Sequence, residues 1–324
     1  MKVLVTGCVG FIGFHLSQKL TSKGYKVIGV DSINNYYGTK IKMDRLKILK
    51  QNSKKFTFNK GDISNFSFVQ KLFKKYKFDQ VINLAAQAGV RYSIENPKAY
   101  LDSNLVGFFN ILECSKKYKV KHLIYASTSS VYGNNSKLPF KESRHADHPI
   151  QFYAATKRSN ELMAHAFSSL YKLPTTGLRF FTVYGPWGRP DMALFKFTKN
   201  ILKNKEINVY NDGNHSRSFT YIDDIVDAID LLLQNYNSKN NFYDILNIGG
   251  EESVNLMNFI QVIEHKLGLK AKINFMPKQL GDVEKTESDC SKITSLVDYK
   301  PKVPIEDGIS QFIDWYKDYY NIGD

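Results

Sequence analysis

Eight residues near the start of the chain restrict its fold more than any other feature. Thr6-Gly7-Cys8-Val9-Gly10-Phe11-Ile12-Gly13 follows a short apolar run at residues 2–5 and opens a helix-patterned stretch at 11–23. Its glycines fall at 7, 10 and 13. The first can turn the chain with positive φ, the second lets the backbone approach a ligand closely, and the third lets the helix lie against the strand. A helix opened in this way presents free N–H groups and a positive partial charge, which together suit a pyrophosphate.

The strand–turn–helix unit then repeats. Runs rich in β-branched residues at 2–5, 26–30, 56–58, 80–84 and 122–126 alternate with amphipathic stretches at 11–23, 40–51, 66–76 and 98–118. A helix at 151–171 and a strand at 175–181 extend the series to about Gly185. This alternation predicts an α/β fold with a Rossmann-type, doubly wound parallel sheet. Pro186, Gly188 and Pro190 break the rhythm. Beyond them the pattern predicts helices at 193–203, 222–234, 256–267 and 305–319, and short strands at 207–210 and 273–275. We therefore expect an NAD-binding Rossmann domain over 1–185 and a smaller C-terminal α/β substrate lobe over 186–324. Segments near 218–247 are expected to return to the main sheet, and the Asn/Ser-rich stretch 235–241 to form a surface loop.

Composition narrows the function classes. The formal charge is +14, but lysines are scattered in short pairs such as Lys74-Lys75 and Lys116-Lys117. That pattern reads as solvated surface charge with some attraction for an anionic metabolite, and no nucleic-acid partner is expected. No apolar run approaches the roughly 18 residues of a membrane span. Residues 1–5 are too short for the apolar core of a secretory signal. Three cysteines without metal-ligand spacing predict no metal site and a reduced, cytoplasmic setting.

Further residues fit a dinucleotide. Asp31 closes the second strand, 18 residues after Gly13. A carboxylate there accepts hydrogen bonds from the adenosine ribose hydroxyls and repels a 2′-phosphate, favouring NAD over NADP. Asp62 and Ile63, after the third strand, can reach the adenine edge. Leu84, Ala85 and Ala86, after the fourth, leave room for the nicotinamide ribose. Tyr153 and Lys157 stand at i and i+4, so a helix places them on one face. An ammonium beside a phenol stabilises the phenolate, which makes Tyr153 a candidate base for a hydroxyl proton while hydride leaves the same carbon. Thr128, 25 residues earlier, can bond the reacting oxygen and relay its proton.

Together these segments resemble the extended short-chain dehydrogenase/reductase family, in its NAD-dependent nucleotide-sugar epimerase branch. The resemblance covers nearly the whole chain. It includes Ser-Val-Tyr-Gly at 130–133 and Arg-Phe-Phe-Thr-Val-Tyr-Gly-Pro at 179–186 as well as the motifs above. It implies that Tyr153 removes the O4′ proton as C4′ gives hydride to NAD, that Lys157 binds the nicotinamide ribose, and that Thr128 assists. Related dehydratases and decarboxylases carry a carboxylate in the loop after strand five, whereas this chain has Thr128-Ser129-Ser130. Hydroxyls there can bond a C6′ carboxylate that an acid would repel. Thr182 stands where many relatives have Asn, and the phrase 187–193 resembles the UDP-glucuronate 4-epimerases in particular. Arg91 and Arg189 are candidate anion partners. By resemblance, Arg217 meets the UDP pyrophosphate and Asp282 the uridine ribose, while Gln279 and Leu280 depart from the family pattern.

The expected function is thus 4-epimerisation between UDP-glucuronate and UDP-galacturonate, serving polysaccharide precursors. The alternatives are UDP-glucose or a UDP-N-acetyl-uronate as substrate, and a catalytically silent NAD-binding regulator. The family also implies a homodimer, through helices near 98–118 and 151–171.

Overall fold

The computed structural model describes residues 1–134, 137–144, 146–235, 242–250, 252–279 and 281–323. Leu280 and residues 236–241 of the expected surface loop lie outside them. The first half runs β1 (Lys2–Thr6), α1 (Phe11–Ser22), β2 (Lys26–Asp31), α2 (Lys40–Asn52), β3 (Phe56–Lys60), α3 (Phe66–Tyr76) and β4 (Gln80–Asn83). Short helices α4 (Tyr92–Glu95) and α5 (Pro97–Tyr100) lead through a π-helical segment (Leu101–Val106) into α6 (Gly107–Lys117). Then come β5 (His122–Thr128), α7 (Phe152–Tyr171), β6 (Thr175–Phe180) and β7 (Thr182–Tyr184). The remainder is α8 (Ala193–Leu202), β8 (Glu206–Tyr210), β9 (Ser216–Tyr221), α9 (Ile222–Asn235), β10 (Tyr243–Ile248), β11 (Ser253–Asn255), α10 (Leu256–Leu267), β12 (Lys272–Met276), α11 (Ser291–Val297) and α12 (Ile305–Tyr320).

Seven strands form one parallel sheet in the order β3-β2-β1-β4-β5-β6-β10. Strand β1 is apolar from Val3 to Val5 because both its faces are covered. Val3 and Val5 pack into a core that includes Phe14 of α1 and Ile225 of α9. Leu4 faces the opposite core, with Phe73 of α3 and Phe108 of α6. The expected doubly wound α/β fold is therefore what the chain adopts. Chain order reverses between β1 and β4, which opens a crevice at the carboxyl ends of these strands.

Three local expectations are corrected. The single strand at 175–181 is two: β6 stays in the main sheet to Phe180, and β7 leaves to pair with β9 in a three-stranded sheet completed by β11. Within 218–247 only β10 enters the main sheet, paired with β6 from Tyr243↔Thr175 to Ile248↔Phe180. The helix expected at 98–118 is interrupted by the π-helical segment. One wide turn there points Asn104 inward, where its Nδ2 donates to the Gln87 carbonyl (3.0 Å) and to Thr156 Oγ1 (3.0 Å). Its Oδ1 accepts from the Gln87 N–H (2.8 Å), so the irregular turn is held by a saturated amide. Among the described residues no helix is long and apolar enough to cross a membrane.

Candidate functional site

At the crevice, Thr6 ties the loop after β1 to that after β4. Its hydroxyl donates to Asn83 Oδ1 (2.7 Å) and accepts from the Ala85 N–H (3.1 Å). Gly7 turns at φ 68°. A Cβ on it would lie 2.8 Å from the Ala85 nitrogen, and one on Gly13 only 2.1 Å from the Gly7 carbonyl oxygen. Both positions therefore demand glycine. Gly10 begins α1 and brings no capping side chain, so the first-turn N–H groups at Phe11, Ile12 and Gly13 remain for an anion. Asp31, at the end of β2, accepts from the backbone N–H of Val9 (3.3 Å) and of Ile33 (2.8 Å). Burial raises its carboxyl above the ordinary range, opposed by these bonds and by Lys42.

One cavity of about 1520 Å³ extends from this loop across the carboxyl ends of the strands. A single drug-sized ligand occupies roughly 300–1,000 Å³, so two ligands fit end to end. Every residue given a catalytic, cofactor or substrate role from the sequence lines it. At one end are Gly7, Gly10, Phe11, Ile12, Gly13, Asp31, Asp62, Ile63, Leu84, Ala85 and Ala86. In the middle are Thr128, Ser129, Ser130, Tyr153, Lys157 and Thr182. Arg91, Arg189, Arg217 and Asp282 line the rest.

The midpoint departs from expectation in one respect. Tyr153 and Lys157 project from the first turns of α7, but Lys157 Nζ donates to the Ala126 carbonyl (2.9 Å) instead of to the phenol. Burial pushes this ammonium down to about 8, with Glu161 opposing. Burial also raises the Tyr153 phenol, while the charge of Arg189 and a hydrogen bond with Thr128 pull it back. Arg189, itself bonded to Asp191, thus adds positive charge near Tyr153. Thr128 caps the turn Ser129–Tyr132, accepting from the Ser130 N–H at 3.2 Å.

Beneath the hydroxyl loop lies a buried ion pair that the sequence reading missed. Glu161 accepts from Arg179 Nε (2.8 Å) and Nη2 (2.7 Å), from Ser127 Oγ (2.6 Å) and from Arg158 Nη1 (3.0 Å). Arg179 also stacks on Tyr132, whose hydroxyl donates to Asn247 Oδ1 (2.7 Å). The network pins the end of β5, and with it Ser127 and Thr128.

The arginines are held differently from one another. Arg91 lies over the Tyr210 ring at 4.8 Å. Arg189 Nε donates to Asp191 Oδ1 (3.0 Å), and Asp191 also accepts from the Tyr36 hydroxyl (3.2 Å). Arg217 Nη1 donates to the Ser216 (3.1 Å) and Glu284 (2.9 Å) carbonyls, while its Nη2 lies 3.9 Å from Asp282 Oδ1. Buried Arg45 ties the glycine loop to the segment after β7, donating to the Val9 carbonyl (2.8 Å) and to the Trp187 carbonyl (2.6 Å). The cavity also includes Tyr36, Asp191, Lys196, His215 and Gln279. Of these, Asp191 could have been found from its spacing two residues after Arg189, whereas Tyr36 carries no such signal.

Residues 3–249 match the model of the NAD dependent epimerase/dehydratase family. Protein CapI of Staphylococcus aureus is 53% identical over 334 residues, covering 99% of each chain. A probable UDP-glucuronate 4-epimerase of Rhizobium meliloti is 44% identical over 335 residues, covering 99% of this chain and 98% of its own. The crystal structure of a UDP-glucuronic acid 4-epimerase from Bacillus cereus, in complex with UDP-glucuronic acid and NAD, superposes with a TM-score of 0.93. It is 35% identical, covering 99% of this chain and 100% of that one.

Proposed function

The chain belongs to the NAD-dependent epimerase/dehydratase family, and on that premise we propose that it interconverts UDP-glucuronate and UDP-galacturonate by inverting C4′. The observation that carries this reading is the one cavity lined together by the glycine loop, by Thr128, Tyr153 and Lys157, and by Arg217 and Asp282. The B. cereus enzyme of the same fold was crystallised with both NAD and UDP-glucuronic acid.

The loop fits NAD. Its glycines let the loop and the start of α1 pack where a Cβ would strike backbone, which leaves the first-turn N–H groups to a pyrophosphate, and Asp31 suits the adenosine ribose. Bound NAD supplies the hydride acceptor, and after the sugar turns over, the donor, so no net oxidation occurs. Tyr153 takes the O4′ proton and returns it, and Thr128 holds that oxygen on the way. Lys157 binds the nicotinamide ribose, its ammonium already fixed by the Ala126 carbonyl. The phenol is pushed up by burial, so the base needs positive charge around it. Arg189 provides part, and the cationic ring of the oxidised cofactor the rest.

Selection of a uronate follows from the lining. Ser129, Ser130 and Thr182 offer hydroxyl donors to a C6′ carboxylate, and no acid stands in the loop at 127–133. Arg91, Arg189 and Lys196 line the cavity and offer positive charge to an anion; burial first, and then Arg91, lowers the Lys196 ammonium, with Asp191 opposing. Arg217 and Asp282 hold the uridine diphosphate. Exposed Val106, Phe109, Leu162 and Leu170 on the π-helical segment, α6 and α7 suit burial against a second copy, giving a homodimer. Buried, unpaired Cys8, Cys114 and Cys290 suit a reduced cytoplasm.

The test offers UDP-glucuronate, UDP-glucose and the N-acetylated uronate separately to the purified protein without added cofactor, followed by NMR. UDP-galacturonate forming fastest is the expected result. Turnover of UDP-glucose alone would refute the substrate assignment.

A further inference from the structure

At the nucleotide end, one side chain has no task in the account above. His215 lies between the turn Asn211–Gly213 and β9, 5% exposed, and lines the cavity. Its backbone is fixed on both sides: its N–H bonds the Gly213 carbonyl (2.8 Å), and its carbonyl accepts from the Leu256 N–H (2.8 Å). The imidazole Nε2 has no hydrogen-bond partner. It lies 3.9 Å from Asp282 Oδ2, while the other oxygen of that carboxylate lies 3.9 Å from Arg217 Nη2. Both separations exceed a hydrogen bond, so three polar groups converge without bonding one another. The other ring nitrogen bonds the Tyr210 backbone, so Nε2 is the buried nitrogen left without a partner, and on taking up a proton it can donate to a ligand oxygen.

Charge identifies the ligand atom. Arg217 already faces the Asp282 carboxylate, and a bound nucleotide sugar adds the two negative charges of its diphosphate. One guanidinium then answers three negative charges, and a protonated imidazole adjacent to it restores much of the balance. We propose that His215 is a third side chain of the nucleotide grip, its Nε2 donating to a diphosphate oxygen seated beside Arg217 and Asp282. The inference rests on the nucleotide-sugar reading of the cavity but not on the identity of the sugar.

A consequence is proton uptake on binding. The charged groups facing His215 are Arg217 on β9 and Lys278, Asp282 and Glu284 on the segment after β12. In the free protein burial and Arg217 hold the imidazole below its ordinary 6.5, with Asp282 opposing. It is therefore neutral at pH 7 and gains a proton as the diphosphate arrives, so affinity rises as pH falls.

UDP-glucose is the probe, because its diphosphate does not titrate near neutrality and it lacks the uronate. For the wild type, the dissociation constant should fall about three- to tenfold between about pH 8 and about pH 5.5, and for His215→Gln it should be flat. The variant should raise KM for UDP-glucuronate and leave kcat unchanged. Calorimetry of the wild type in two buffers of different ionisation enthalpy should show fractional proton uptake, which needs no variant to fold. No uptake by the wild type, or an uptake that survives in His215→Gln, overturns the proposal. Failure of UDP-glucuronate epimerisation, by contrast, leaves this binding test intact.

Discussion

Replacing Glu161 by Leu should cost about 3–5 kcal/mol of stability, the usual effect of leaving a buried charge without its partner. Glu161 and Arg179 are 0% and 2% exposed, with two hydrogen bonds of 2.8 and 2.7 Å between them. The variant strands the Arg179 guanidinium over the Tyr132 ring and takes the acceptor from Ser127 Oγ. Against a total stability of roughly 5–15 kcal/mol, the loss is large and easily measured by urea unfolding followed through Trp187 and Trp315. Two controls give the experiment its power. Asp102→Ala breaks the exposed Lys98–Asp102 pair and should cost no more than about 0.5 kcal/mol. Glu161→Leu combined with Arg179→Leu removes both charges and should be less damaging than Glu161→Leu alone. The carboxyl of Glu161 is held below its ordinary value by Arg179. A group depressed on folding contributes stability above its unfolded pKa of about 4.5 and loses it as pH falls through the folded value. The deficit of the single variant should therefore be full at neutral pH and shrink only in acid. A double variant as unstable as Glu161→Leu alone, or more so, would refute the reasoning.

Other substitutions probe the remaining parts of the site. Tyr153→Phe should lower kcat by about 10²–10⁴-fold, with KM little changed and NAD still bound, as steady-state kinetics and the dinucleotide released on acid precipitation will show. Gly13→Ala places a Cβ 2.1 Å from the Gly7 carbonyl oxygen and should yield protein without dinucleotide by the same release assay. Lys157→Met should abolish turnover yet stabilise the dinucleotide-stripped protein. Burial lowers this ammonium from 10.5 to about 8, about 3 kcal/mol at 1.36 kcal/mol per pKa unit, of which the lost bond to Ala126 returns about 1. The gain is present in full below pH 8, where both states of the wild type are charged, and vanishes as pH rises past 10.5; urea unfolding across that range checks it.

The features legible in the sequence are those whose partners lie within a turn or a loop. Gly7, Gly10 and Gly13 act through backbone geometry that their spacing encodes. Tyr153 and Lys157 share a helix face by periodicity alone. What eluded sequence reasoning depends on distant pairing. A return to the main sheet near 218–247 is expected from the sequence, but which residues make it is not: β10 is a strand because β6 offers its free edge, and nothing within 243–248 announces that partner. The π-helical segment adds one residue to a turn of an otherwise helical pattern, a change that apolar periodicity hardly registers. Spacing shows only which helix face Lys157 occupies, and so predicts its ammonium beside the phenol. The Ala126 carbonyl that accepts its hydrogen bond, 31 residues away, emerges only with the fold. Likewise Tyr36 reaches Asp191 across 155 residues, and Glu161 meets Arg179 because α7 crosses β6.

The most direct test follows the hydrogen at the sugar carbon. With UDP-glucuronate deuterated at C4′ and the purified protein in ordinary water, the UDP-galacturonate formed should retain deuterium at C4′, because hydride passes to the bound dinucleotide and back without meeting solvent. Product carrying protium at that carbon would mean a solvent-exchanged carbanion, and the scheme built on Tyr153 and NAD would be contradicted.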